Sequence, residues 1–157
     1  MSTIKINQTI PSLTVQATSG KTFKLTDLKG NNLILYFYPK DSTPGCTLEG
    51  QAFRDHYADF QENETLIFGV SKDDLTSHAK FKTNQCFPFE LIADLDGKLC
   101  ELFDVIKEKS MFGKKYRGIE RSTFLIDKNG VLKREWRKVK VKGHAREILA
   151  AVKSMSH

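Results

Sequence analysis

Cysteine is scarce in this chain, three residues among 157, and the three, Cys46, Cys86 and Cys100, stand far apart. An odd, widely spaced set argues against the disulfide framework of a small secreted scaffold and fits a reducing cytoplasm. The same cysteines fail every zinc-ligand spacing, and the histidines, His56, His78, His144 and His157, are too scattered to complete one, so no bound metal is expected. Long apolar runs are missing too. No segment approaches the roughly 18 apolar residues of a membrane-spanning helix, and the opening MSTIKINQTIP lacks the apolar core of a signal peptide. Repeats, linkers and low-complexity tracts are absent, and the length suits one domain over residues 1–157 with a substantial core.

What the chain has in excess is positive charge, a formal +6, with Lys133, Arg134, Arg137, Lys138, Lys140 and Lys142 gathered near the C-terminal end. Such a cluster invites a nucleic-acid reading. Yet Lys138, Lys140 and Lys142 alternate with Val139 and Val141, the pattern of one solvated face of an extended segment, and nothing nearby resembles a stacking platform or zinc-finger module. Neither a nucleic acid nor a membrane is expected as a partner.

Periodicity outlines the elements. Leu13, Val15 and Ala17 alternate, Ser19-Gly20 marks a turn, and Thr22, Phe23 and Leu25 follow, which predicts an N-terminal hairpin. The runs 33–38 and 65–70 read as buried strands, 73–85 as a short helix with Leu75, Ala79 and Phe81 inward, 90–93 as a brief strand and 99–105 as another short helix. Residues 106–120 are charged and show little periodicity, and are expected to form a surface loop. A second hairpin turns on Asp127-Lys128-Asn129-Gly130, and a final helix carries Ala145, Ile148, Leu149, Val152 and Met155 on one side. Alternating strands and helices of this kind predict an α/β fold, a mixed central sheet flanked by helices.

The most informative stretch is YFYPKDSTPGCTLEG, residues 36–50. Pro39 ends the strand, Thr43 suits a helix N-cap, Pro44 suits the first helical position, and Leu48, Ala52, Phe53, Tyr57 and Phe60 recur at helical spacing, predicting a helix of about four turns. Cys46 then falls in the first turn, where unpaired N–H groups and the positive end of the macrodipole favour an anion and hence the reactive thiolate. A free cysteine is often no more than a small buried hydrophobe. The strand, turn and helix around Cys46 tip the reading toward a nucleophile. Cys100, between Leu99 and Leu102, fits the buried role.

Pro39, Thr43 and Cys46 stand in the pattern P-x-x-x-T-x-x-C, which resembles the active-site signature of peroxiredoxins; YFYPKD-x-TPGCT is similar to the branch called bacterioferritin comigratory protein or peroxiredoxin Q. The resemblance runs from about residue 5 to about residue 153. It implies a thioredoxin-like fold and a cytoplasmic, monomeric thiol peroxidase that needs no prosthetic group. It also implies that Arg121, before Ser-Thr-Phe, approaches Cys46. A C-x-x-C pair, expected of a thioredoxin-type reductase, is missing because Thr43 takes the place of the first cysteine. A lone thiolate suits attack on a peroxide O–O bond to give a sulfenic acid, with Thr43, Arg121 and the Gly45 and Cys46 N–H groups as donors. Pro39 would shield the thiolate from water. Glu49 is left outside the expected site.

Two positions where relatives in this branch carry a resolving cysteine are Gln51 and, by alignment, Lys82 here. Cys86, one helical turn past Lys82, is the candidate replacement; an external thiol acting on the sulfenic acid is the alternative. Either way a thioredoxin-like donor would return the thiol and a hydroperoxide would be the substrate. A redox-regulated chaperone or binding protein and a nucleic-acid module are the readings from other classes.

Overall fold

The computed structural model describes residues 3–155; His157, one of the histidines weighed above, lies outside them. Among the described residues nine strands and five α-helices follow one another as β1 (Thr14–Ala17), β2 (Lys21–Lys24), β3 (Asn32–Phe37), α1 (Pro44–Asp55), α2 (Tyr57–Glu62), β4 (Thr65–Ser71), α3 (Leu75–Gln85), β5 (Glu90–Ala93), α4 (Lys98–Leu102), β6 (Ile106–Met111), β7 (Lys114–Ile119), β8 (Ser122–Ile126), β9 (Leu132–Trp136) and α5 (His144–Met155). A 3₁₀ turn over Leu25–Leu28 bridges β2 and β3. Seven strands make one sheet in the order β2-β1-β5-β4-β3-β8-β9. β3, β4 and β5 run parallel, while β1, β8 and β9 add antiparallel neighbours, so the sheet is mixed. No helix among the described residues is long and apolar enough to cross a membrane.

β3 explains the core. All six of its residues are buried, and they alternate between two apolar clusters as the pleat requires. Leu33, Leu35 and Phe37 face one cluster with Phe103, Val105 and Phe124; Ile34 and Tyr36 face the other with Phe53, Phe60, Phe81 and Ile148. Cys46 belongs to the second cluster. Gly69 of β4 is glycine for space: a Cβ there would lie 2.8 Å from both Tyr36 Oη and Leu91 Cδ2.

Three expectations are corrected. Residues 106–120 are a paired ribbon, β6 against β7 in register from Ile106↔Ile119 to Met111↔Lys114. Its turn, Phe112-Gly113, has φ of +52° and +78°, the geometry of a two-residue hairpin turn. Apolar periodicity is silent there because the ribbon buries almost nothing. The helix after Thr43 breaks at His56 into α1 and α2, and Leu48 lies 59% exposed. On α3 the buried residues are His78 and Phe81, with Leu75 and Ala79 outward. Residues 137–143 are an irregular connection whose lysines are exposed and whose valines are half-buried, the solvated face expected of the alternation.

Candidate active site

The segment between β3 and α1 is tied down by Asp41. Its Oδ1 accepts from Tyr38 Oη at 2.6 Å, its Oδ2 accepts from Ser77 Oγ at 2.8 Å and meets His78 Nδ1 at 2.7 Å, and its N–H donates to Asp73 Oδ2 at 2.8 Å. His78 Nε2 lies 2.9 Å from the Ile92 carbonyl, which can only accept, so the Nε2 proton is placed. The 2.7 Å Nδ1–Oδ2 contact is the ring's second hydrogen bond, so both of its nitrogens are engaged. His78, Asp41 and Asp73 are close enough together to be a cation site, although the sequence gave no sign of one. O–H and N–H donors already satisfy the two carboxylates, which makes the group a hydrogen-bonded strut under the loop.

Carried by this loop, Thr43 stands at the N-cap of α1 with extended backbone, φ −87° and ψ 155°, and Pro44 opens the helix. The Thr43 hydroxyl turns away from the helix and donates to the Lys40 carbonyl at 2.8 Å. The first backbone bond of α1 runs from Thr47 N–H to the Thr43 carbonyl at 2.9 Å. The Gly45 and Cys46 N–H groups are thereby left available to an anion, as at any helix start whose cap does not fold over it. Pro39 follows the strand as expected and is exposed.

Cys46 is 1% exposed, and Arg121 reaches it from the start of β8: Nη2 donates to Sγ at 3.4 Å. Gly45 leaves room for this approach, since a Cβ there would lie 3.1 Å from Nη2. The same guanidinium donates through Nη1 to Glu49 Oε1 at 2.7 Å. Glu49 sits one turn after Cys46, buried, with Oε2 lacking a partner. Burial outweighs the pull of Arg121 and pushes the Glu49 carboxyl up to about 7. Two tendencies therefore meet in one ion pair, and the unsolvated Oε2 is why burial prevails. The Tyr36 hydroxyl, also buried and unpartnered, is pushed up chiefly by burial and further by Glu49 and Cys46. Sequence reasoning left Glu49 out; its only signal was the i, i+3 spacing from Cys46 on one helix face.

Cys86 occupies the left-handed C-cap of α3, φ +55°, exposed and reduced. The end of α3 lies against α1, with Gln51 Nε2 donating to Gln85 Oε1 at 2.8 Å and Arg54 Nη1 to the Gln85 carbonyl at 2.9 Å. Lys82 is engaged with Glu90 and Ser19. Cys100 is buried, and burial together with Asp94 raises its thiol far above the ordinary range. It fills the structural role expected of it.

A buried cysteine at a helix start, held by an arginine on a thioredoxin-like sheet and without a C-x-x-C partner, points to a peroxidase of the cysteine class rather than a dithiol reductase. The comparisons agree. Residues 6–135 match the AhpC/TSA family. Peroxiredoxin Bcp of Bacillus subtilis is 54% identical over 98% of either chain. The solved structure of Xanthomonas campestris peroxiredoxin Q has a TM-score of 0.89 at 48% identity over 92% of each chain, and a cysteine-to-serine mutant of Xylella fastidiosa PrxQ reaches 0.94 at 39% identity over 100% of each. A further X. campestris structure, of bacterioferritin comigratory protein, is described by its alkyl peroxide reduction activity. The chain belongs to the AhpC/TSA family, within its Bcp or peroxiredoxin Q branch. Its activity is that of a thiol peroxidase.

Proposed function

We propose that residues 1–157 act as one domain that reduces hydrogen peroxide and organic hydroperoxides to water and alcohols, with Cys46 as the nucleophile. The observation that supports this most directly is the 3.4 Å contact of Arg121 Nη2 with Cys46 Sγ at an uncapped helix start. Sγ attacks the terminal peroxide oxygen, an S–O bond forms, and the O–O electron pair leaves with the departing oxygen, which takes up a proton. Arg121 donates to Sγ and, with the Gly45 and Cys46 N–H groups, holds the peroxide oxygens. The Thr43 hydroxyl, whose proton rests on Lys40, has a lone pair for the peroxide O–H. Pro39 turns the chain out of β3 and screens the thiolate.

The Cys86 thiol then attacks the sulfenic sulfur, releasing water and forming a disulfide that a thioredoxin-like donor reduces. Because Cys46 is 1% exposed and Cys86 caps another helix, this step requires both helix ends to open locally. That requirement is also what favours the second reading, resolution by an external thiol. We further propose a cytoplasmic monomer acting without a prosthetic group, nucleic acid or membrane. Peroxide consumption coupled to thioredoxin and its reductase tests the assignment. Full turnover by Cys46→Ser would remove it.

A further inference from the structure

We propose that Lys109, on the β6–β7 ribbon, donates the proton to the oxygen that leaves when Cys46 cleaves a hydroperoxide. The inference rests on Cys46 as the nucleophile and names a group that the reaction needs. As the S–O bond forms and the O–O bond breaks, the electron pair goes to hydroxide or alkoxide, whose conjugate acids are so weak that neither leaves readily without a proton. Other groups near the sulfur are poorly placed to give one. Arg121 does not deprotonate and is engaged with Glu49 and Cys46. The Thr43 proton lies on the Lys40 carbonyl, Glu49 has its Oε1 taken by Arg121, and the unpartnered Glu49 Oε2 and Tyr36 hydroxyl belong to side chains 1% exposed, closed off from the solvent side by which a peroxide arrives.

Lys109 faces the site by the geometry of the ribbon. Along β6 its neighbours Glu108 and Ser110 are exposed, whereas Lys109 is half-buried, so its side chain lies on the inward face. In register it stands opposite Tyr116, yet a Cβ on Gly118 would lie 3.6 Å from Lys109 Cδ. Gly118 is nearer the base of the ribbon, so the lysine stem runs back toward Arg121, just beyond β7. Its ammonium accordingly feels both Arg121 and Cys46. On the same ribbon Lys107 pairs with Asp104 at 2.9 Å and Lys115 with Glu108 at 3.6 Å; Lys109 has no ion pair among the described residues. A half-buried cation beside a second cation is poorly stabilised at rest and well stabilised once negative charge appears between them. Such a difference between ground and transition state is what accelerates a reaction. Burial and Arg121 hold the Lys109 ammonium below the usual lysine range, against the opposing pull of Cys46 and Glu120, which makes it a better acid.

Single-turnover oxidation of Cys46 tests the role with two oxidants. Hydrogen peroxide expels hydroxide, which needs a proton; peracetic acid expels acetate, which does not. Lys109→Arg keeps the charge and loses the transferable proton. With hydrogen peroxide it should react about 100-fold more slowly than wild type, and with peracetic acid within about 2-fold of it. The peracetic acid rate also reports an intact thiolate site, so misfolding is not confused with loss of the donor. Lys109→Met should lose at least as much with hydrogen peroxide. An arginine variant as fast as wild type with hydrogen peroxide, or slowed equally with both oxidants, would overturn the proposal. A wild-type protein whose sulfenic acid forms elsewhere than Cys46 would instead sink the assignment beneath it.

Discussion

Arg121 divides one guanidinium between a thiol and a carboxylate, at 3.4 Å and 2.7 Å. The planar fork makes both contacts at once, which a lysine cannot do. Arg121→Lys should lower kcat/KM for hydrogen peroxide by about 100-fold, the usual cost of one preorganised donor, read from steady-state rates. Glu49 supplies a pH signature. Its carboxyl, raised from 4.5 to about 7, binds a proton more tightly in the folded protein than in the unfolded chain. The resulting stabilisation is complete below pH 4.5 and lost as the pH rises through 7. Urea unfolding across that window should show wild type losing about 3 kcal/mol relative to Glu49→Gln. A difference that stays flat with pH would contradict the burial argument. Of this pair the sequence disclosed Arg121 only through family resemblance. Glu49 was passed over because neither its burial nor its counter-ion is visible in a string of letters.

At the scale of elements, the β3–α1 loop depends on a strut from α3. Asp41→Ala leaves the buried His78 Nδ1 without its carboxylate partner and should cost about 3–5 kcal/mol in denaturant unfolding, as breaking a buried pair does. Asp41→Asn should cost much less, because an amide N–H can donate to neutral His78 Nδ1. The packing of α1 on the end of α3 has an equally local cause. A Cβ on Gly50 would lie 2.3 Å from the Phe87 ring, so only glycine lets the segment after Cys86 close on α1. The start of α1 was legible in the chain, since Thr43 and Pro44 act on their own neighbours. The inward face of α3 was not, because His78 is buried by a carboxylate distant in sequence and not by apolarity. The β6–β7 ribbon escaped for a related reason: backbone pairing holds it, and a burial pattern is the only strand signal periodicity can detect.

On the scale of the whole molecule, sheet order decides the chemistry. β3 lies between β4 and β8, and this brings Arg121 to a sulfur that is 75 residues away in the chain. It leaves Cys86, on α3, outside that contact. After one equivalent of peroxide, peptide mapping of the intact protein should find Cys46 joined to Cys86, and Cys86→Ser should trap Cys46 as a sulfenic acid. A wild-type sulfenic acid with Cys86 still free would assign the resolving step to an external thiol.

By itself the sequence determined the buried strand, the helix that begins beside Cys46, the hairpin on Asn129-Gly130 and, through its signature, the kind of reaction. Those features depend on residues within a few positions of one another, where turn geometry and the helical or strand period act directly. Only the tertiary structure decided that Glu49 shares Arg121, that His78 and Asp41 brace the loop, and that Lys109 lies half-buried on the inward face of its ribbon. Each of those depends on how far a charge is removed from water and on what it meets there. Neither quantity exists until the sheet has brought distant segments together.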